Sequence, residues 1–285
     1  MLYWPGACMV QATTYKEFPM RFSTSKTCVS VLPGAVVATA LMTVCAAASA
    51  LPAFSFDPAA AGLAGTMIDA DNILVSSFAA VTIDPGGTFT QTGYLPVTGF
   101  QMMGSSFTPS GLNTDYGLYI AFSGSGTTTT NDPTATFNFG NFTSLTYTLY
   151  GYNGSATFGF SGNTATETAS GEVALASGML ISGTVSTVPT GGGGFSPSAN
   201  AMLTVTLDTP AFFGAPDPFH AVALTAFTNT SSQVEPFAGG FRIRQGGGSL
   251  NFAPVPEPSS IALMVGGLAA VGFLYRRRQG AQRWH

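Results

Sequence analysis

An all-β body, folded as an antiparallel β-sandwich or jelly roll, is what this sequence predicts, with an N-terminal signal helix and a single C-terminal transmembrane helix on either side. Three observations carry that reading. Apolar and hydroxyl-bearing residues alternate with a period of two through the middle of the chain. Gly and Pro interrupt those runs at intervals of about ten to fifteen residues. Apolar runs approaching membrane-spanning length occur only near the two ends.

Residues 1–50 read as an N-terminal extension and signal peptide. Arg21 and Lys26 lead into an apolar stretch at 36–44, too short to cross a bilayer with ease. It closes on Ala48-Ser49-Ala50, the small-x-small pattern that signal peptidase accepts, so cleavage is expected after Ala50. The leader is long for a signal, and Met20 offers an alternative start. A lipoprotein anchor at Cys45 would want a small residue before it, where Val44 stands. Cys8, Cys28 and Cys45 all leave with the leader, so the mature chain has no disulfide and no thiolate chemistry.

Residues 51–253 form the extracytoplasmic domain. Strand-like alternation is found at 73–83, 88–95, 117–122, 134–149, 156–160, 173–188, 203–207 and 221–227. Within 134–149, Phe137, Phe139, Leu145, Tyr147 and Leu149 share one parity, opposite Thr136, Asn138, Thr146 and Thr148. Thr and aromatic residues suit a pleated, half-buried surface. Asp57-Pro58, Asp84-Pro85, Asp132-Pro133 and Asp217-Pro218 initiate turns, and 191–194 is a glycine loop. The glycines at 246–248 begin a linker toward the C-terminal segment. No fixed-period repeat is present, which disfavours a solenoid or propeller.

Residues 254–285 have three parts. Val255-Pro256-Glu257-Pro258 precede a mostly apolar run at 259–275, read as a transmembrane helix, and Arg276-Arg277-Arg278 follow directly. At 1.5 Å per residue that run is about 25 Å long, near the lower limit for a span. Pro258 suits a first helical turn. The arginines resist crossing and hold the C-terminus in the cytoplasm, leaving the body outside.

Composition agrees with export. Only 8% of residues are charged, against roughly a quarter in ordinary soluble domains. Seven of the nine basic residues lie in the two ends, and the body sets eleven acids against Arg242 and Arg244 alone. Phosphate binding wants clustered Lys and Arg, so nucleic acid is not an expected partner.

The tripartite tail resembles the PEP-CTERM sorting signal of Gram-negative bacteria. The resemblance implies processing near Pro256-Glu257-Pro258 by an exosortase-type membrane protease, and association with an exopolysaccharide matrix. The tail from Gln279 to His285 is longer than the few residues usual after the arginines. Across the body, Phe54-Ser55-Phe56-Asp57-Pro58, Tyr116-Gly117-Leu118-Tyr119 and Leu175-Ala176-Ser177-Gly178 follow in order, the last leading to Ile181-Ser182-Gly183. Phe212-Phe213, Pro218-Phe219, Ala226-Phe227-Thr228-Asn229-Thr230 and Gly246-Gly247-Gly248-Ser249 with Asn251-Phe252 complete the set. In this order they resemble the flocculation-associated PEP-CTERM proteins, which implies a part in floc or biofilm formation and supplies no catalytic residue.

Catalytic chemistry finds little support in the residues themselves. His220 is the one histidine of the body, it shares parity with Val222 and Leu224, and no Gly-x-Ser-x-Gly presents a nucleophile. A strand-end histidine holding a hydrogen bond is the better reading. Eleven acids offer many carboxylate pairs for glycoside hydrolysis, so pairing has no specificity, and the body lacks Trp for sugar stacking. Asp69 and Asp71 are the best-spaced oxygen ligands for calcium, yet the glycine and distal glutamate of an EF-hand loop are missing, and a solvated turn is the commoner outcome. Tyr94, Tyr116, Tyr147, Tyr150 and Tyr152 either form a sugar-binding face or, more commonly in sheets, pack as core edges. The sequence thus predicts a non-enzymatic, cofactor-free surface or matrix protein. It is exported, held at least in transit by its C-terminal helix in the inner membrane, and active in exopolysaccharide-associated aggregation. The alternative is a module that recognises a defined glycan with or without calcium.

Overall fold

The structure, a computed structural model, describes residues 51–135 and 138–253. The cleavage site at Ala48 and Ala50, the sorting motif Val255–Pro258, the 259–275 helix and Arg276, Arg277 and Arg278 lie outside them. Among the described residues no helix is long and apolar enough to cross a membrane.

Eight long strands dominate the domain: β1 (Asn72–Ile83), β2 (Thr88–Met102), β3 (Tyr116–Thr128), β4 (Asn138–Asn153), β5 (Val173–Pro189), β6 (Phe195–Thr204), β7 (Val222–Thr228) and β8 (Gly240–Ala253). Each pairs antiparallel with the next in chain order, and β8 returns to pair with β1. The antiparallel all-β expectation therefore holds, but the sheet closes on itself as an up-and-down barrel instead of splitting into two stacked sheets. Period-2 alternation asks only that one face be buried, and a closed barrel satisfies it as well as a sandwich does.

Alternation sets the two faces. In β1, Ile73, Val75, Ser77, Ala79 and Val81 are buried, while Leu74, Ser76 and Phe78 between them are partly exposed. The interior is apolar and the outer wall is rich in Thr and Ser. In β4 a register shift places Ser144 opposite Ser125 but Phe142 opposite Gly126, so Thr143 is an extra residue. That bulge exchanges the faces: Leu145, Tyr147 and Leu149 point to the core, whereas Phe139 is 54% exposed. The single parity expected for 134–149 fails at this point. Nor are the glycines at 246–248 a linker. They lie inside β8, where Gln245 is an extra residue with φ 54° and Asn229 and Phe227 pack directly over Gly246 and Gly248. The run at 203–207 also divides, since β6 ends at Thr204 and Thr206–Leu207 pair instead with Ala176 and Ser177 of β5.

One end of the barrel is plugged. The short strand Phe54–Phe56 pairs with Ile68–Ala70 on one side and Phe213–Ala215 on the other. Phe56, fully buried, has the rings of Phe54, Phe100, Phe212, Phe213, Phe219 and Phe252 within 4.6–6.3 Å of its own. Such tilted and edge-on pairs add to the gain from burial. The chain enters β1 and leaves β8 at this plugged end. The connections at 84–87, 129–135, 190–194 and 229–239 lie at the other, called the far end below.

Close approach between strands depends on missing side chains. A Cβ on Gly178 of β5 would stand 1.9 Å from the Thr204 carbonyl oxygen and 2.6 Å from the Tyr147 ring. The space it leaves lets Tyr147 donate a hydrogen bond to that same carbonyl at 3.0 Å. Gly178→Ala should therefore cost about 1–3 kcal/mol as overpacking, seen as a drop in Tm of roughly 3–10 °C. Gly159→Ala, with nothing within 4 Å of its Cβ position, should leave Tm unchanged.

Burial also pushes up the tyrosine hydroxyls. Tyr147, Tyr119, Tyr116, Tyr152 and Tyr94 all titrate above their ordinary value of 10.0, through loss of solvation first. Asp208 adds to the effect at Tyr147, and Glu167 at Tyr119, Tyr152 and Tyr94. The folded state thus holds these protons more tightly than the unfolded chain does. The associated stability is complete below about pH 10 and is lost as pH rises beyond it. Urea midpoints should stay level from about pH 7 to 9 and fall above about pH 10. Tyr147→Phe, less stable at neutral pH by about 1 kcal/mol for its lost hydrogen bond, should show a shallower alkaline decline.

Candidate functional site

Three features on this barrel invite a functional reading: an outer groove, a stapled hairpin and an internal cavity. The groove lies on the outer wall of β4, β5 and β6 toward the far end. It encloses about 370 Å³ between Phe139, Asn141, Thr184, Ser186, Ser198 and Asn200. None of these is charged. Amides and hydroxyls line it, Ser186 and Ser198 share a hydrogen bond of 2.7 Å, and Phe139 contributes an exposed ring. Alternation dictates this composition, because Thr184, Ser186, Ser198 and Asn200 all belong to the outward parity of their strands. The neighbouring Val185 and Ala199 face inward.

On another part of the wall the hairpin of Phe158–Ser161 and Thr164–Glu167 packs against β1, β2 and β3. Phe158 meets Phe78, Tyr94 and Tyr119 at centroid distances of 6.2, 6.3 and 5.4 Å. Arg242 and Arg244 of β8 lie over the Phe160 ring at 5.5 and 5.3 Å, and both pair with Glu235, at 2.6 and 2.8 Å. Arg242 also donates to the Gly162 carbonyl. The two cations of the body are thus engaged in holding this hairpin. Among the described residues no basic side chain remains to receive an anionic ligand.

The residues singled out for chemistry take structural posts. Asp71 is buried and its Oδ2 accepts the Met103 N–H at 2.6 Å, across a tight turn in which Met103 and Gly104 both have positive φ. Asp69 is exposed in the strand Ile68–Ala70, and no group of three or more metal-ligating side chains occurs among the described residues. His220, 9% exposed, lies two residues before β7 with Nε2 3.3 Å from the Ala53 carbonyl oxygen, beside the rings of Phe219 and Phe252. This is the strand-end, hydrogen-bonded histidine that its parity suggested. The five tyrosines do not share a face. Tyr116 and Tyr152 are almost wholly buried, Tyr147 faces the interior, and Tyr94 and Tyr150 sit outside around Tyr119. Sequence reasoning missed the groove, since its face follows from the Thr143 bulge.

Inside the barrel, between its middle and the far end, is a cavity of about 110 Å³ reachable by the centre of a water molecule. Its walls are largely apolar and carry no charged group.

No curated protein and no solved structure matches this chain. One family does match, at the tail alone. Residues 254–278 fit the PEP-CTERM protein-sorting motif. That span contains Val255-Pro256-Glu257-Pro258, the apolar run and the three arginines. The chain therefore carries a PEP-CTERM sorting signal directly after its last barrel strand, the mark of an exported protein that passes through the membrane to exosortase.

Proposed function

We propose that this is a non-enzymatic surface or matrix protein that acts in exopolysaccharide-associated aggregation, as in floc or biofilm formation. The observation that supports this most is the sorting motif at 254–278, the mark of an exported protein. The barrel wall suits that setting. Hydroxyls take the solvent-facing role, and low charge limits like-charge repulsion between crowded surfaces. Signal peptidase removes the leader after Ala50, and the exosortase-type protease acts near Pro256-Glu257-Pro258. The C-terminal helix anchors the chain in the inner membrane during transit, and the mature domain resides at the cell surface or in the matrix. Neither nucleic acid nor a cofactor has a place in this reading.

A second reading, a carbohydrate-binding module, is favoured by one observation, the neutral amide- and hydroxyl-lined groove with Phe139 at its edge. An apolar ring beside hydrogen-bonding groups suits the alternating faces of an uncharged sugar. The buried carboxylate of Asp71 already serves a backbone N–H, so this reading does not rest on calcium.

Deleting residues 53–254 while keeping both terminal signals should abolish aggregation of the producing cells, and unchanged aggregation would sink the leading proposal. Truncation after Val255 should release the protein into the medium and reduce aggregation with it. For the second reading, Phe139→Ala should weaken retention of the protein on the organism's own purified polymer by about 5–10-fold, the scale of one exposed aromatic contact. Retention should be insensitive to chelator. Equal retention of Phe139→Ala and wild type would remove the groove from consideration.

A further inference from the structure

We infer that the interior of the barrel is a binding site for a small, uncharged, mainly apolar molecule that carries one hydrogen-bond donor. Eight-stranded barrels stand at the size where inward side chains either fill the interior or leave room for one small ligand. Here small residues sit at several inward positions, among them Ser77, Ala79, Ala199 and Ala201. They leave about 110 Å³ open to water-sized centres, several times the roughly 10–15 Å³ that one water needs. The surrounding wall includes Phe89, Ile120, Phe142, Phe227 and Ile243. Close-packed interiors do not retain voids of this size without loss of stability.

The polar groups on its wall define the ligand further. Asn138, 2% exposed, is satisfied by the Thr129 hydroxyl and the Thr130 carbonyl. The Thr187 hydroxyl donates to the Pro133 carbonyl, and the Tyr147 hydroxyl to Thr204. Asn229 differs. It is 3% exposed, its Nδ2 donates to the Pro197 carbonyl at 3.3 Å, and its Oδ1 has no partner. Asn229 lines the cavity with this oxygen beside the Gly246 backbone; a buried acceptor left unpaired is costly, and a donor on a guest would satisfy it. With no cation in the wall, a carboxylate or phosphate would be buried without compensation, which excludes fatty acids and phospholipid headgroups. The guest is therefore neutral, like an aromatic or terpenoid alcohol or an indole-type N–H compound. This site lies on the inner side of the wall whose outer side bears the groove, with Val185, Ser186 and Ser198 bordering both, and the proposed role in aggregation stands or falls independently of it.

Indole and indene test the assignment, being nearly equal in shape with only indole carrying an N–H donor. Titrated into the full-length chain in detergent, against a micelle blank, indole should bind saturably at one site and raise Tm, and indene should bind about tenfold more weakly. Ala201→Leu, which fills the cavity, should weaken indole binding at least tenfold while far-UV circular dichroism keeps its β signature. Ala199→Leu serves the same purpose where Ala201→Leu loses the fold. Asn229→Ala should bring indole and indene to equal affinity. Absence of saturable indole binding to the wild type, or undiminished binding to a folded cavity-filled variant, overturns the interior site. Equal affinity of the wild type for the two probes overturns the role assigned to Asn229.

Discussion

The pairing of the last barrel strand with the first is the constraint on which everything else in this domain rests. Gly240 through Leu250 of β8 run antiparallel to Thr82 through Ile73 of β1. This seam joins the two parts of the barrel that are farthest apart in sequence. Without it, both strands would expose a row of unpaired backbone groups, the usual route to edge-to-edge aggregation. The apolar interior would also open to water. The extra residue at Gln245 and the glycines that follow allow β8 to bend round to its partner. No cysteine occurs among the described residues, so no disulfide within them enforces this closure. Backbone hydrogen bonds and packing must supply it.

Closure also accounts for the odd composition. A barrel assigns alternate residues to a dry interior and a wet wall, so hydrophobic content can be high, although Met179, Ile181 and Met202 remain exposed on the outer wall. The wall is solvated by Thr and Ser hydroxyls, not by charges. Where charges do appear they work locally. Glu235 draws Arg242 and Arg244 together over Phe160, and these contacts clamp a hairpin whose other anchors are Phe78, Tyr94 and Tyr119. Exposed ion pairs contribute little one at a time. Here the pairs share one carboxylate and stack on one ring, so the hairpin is fixed by a set of coupled contacts. The other acids of the domain have no basic partner among the described residues.

What could be read in the sequence was whatever is local. Strand periodicity in β1, β2 and β5 depends on neighbours two residues apart, and the sorting tail is a linear order of motif, apolar run and arginines. Closure is not local, because the same alternation serves a sandwich or a barrel until the partner of β1 is known. Bulges are equally hidden. One inserted residue at Thr143 sends Phe139 outward and creates the groove, while the expected parity had placed it inside. The glycines at 246–248 looked like a linker because flexibility is the common use of such a run, whereas their use here is to admit Asn229 and Phe227. The cavity is the least legible feature. It arises because Ala79, Ala199 and Ala201 lie on strands brought together only by the closed sheet.

The direction of the chain through the barrel gives these features a common polarity. An even number of alternating strands brings the chain in and out at the same end, where Phe56 and its ring of phenylalanines form the plug. The sorting motif begins one residue after β8, so the plugged end is tied to the membrane-directed tail. Strands of about twelve residues, at about 3.3 Å per residue and tilted by some 35–45°, set the far end on the order of 25–30 Å away. The outer groove and the inner cavity both lie toward that far end. The densest aromatic packing thus stands where the chain runs on into the sorting signal, and the groove and the cavity stand toward the opposite end. An odd number of strands would have placed the tail beside those surfaces. The even count that closes the antiparallel sheet therefore also keeps the groove and the cavity away from the strand end that leads into the sorting signal.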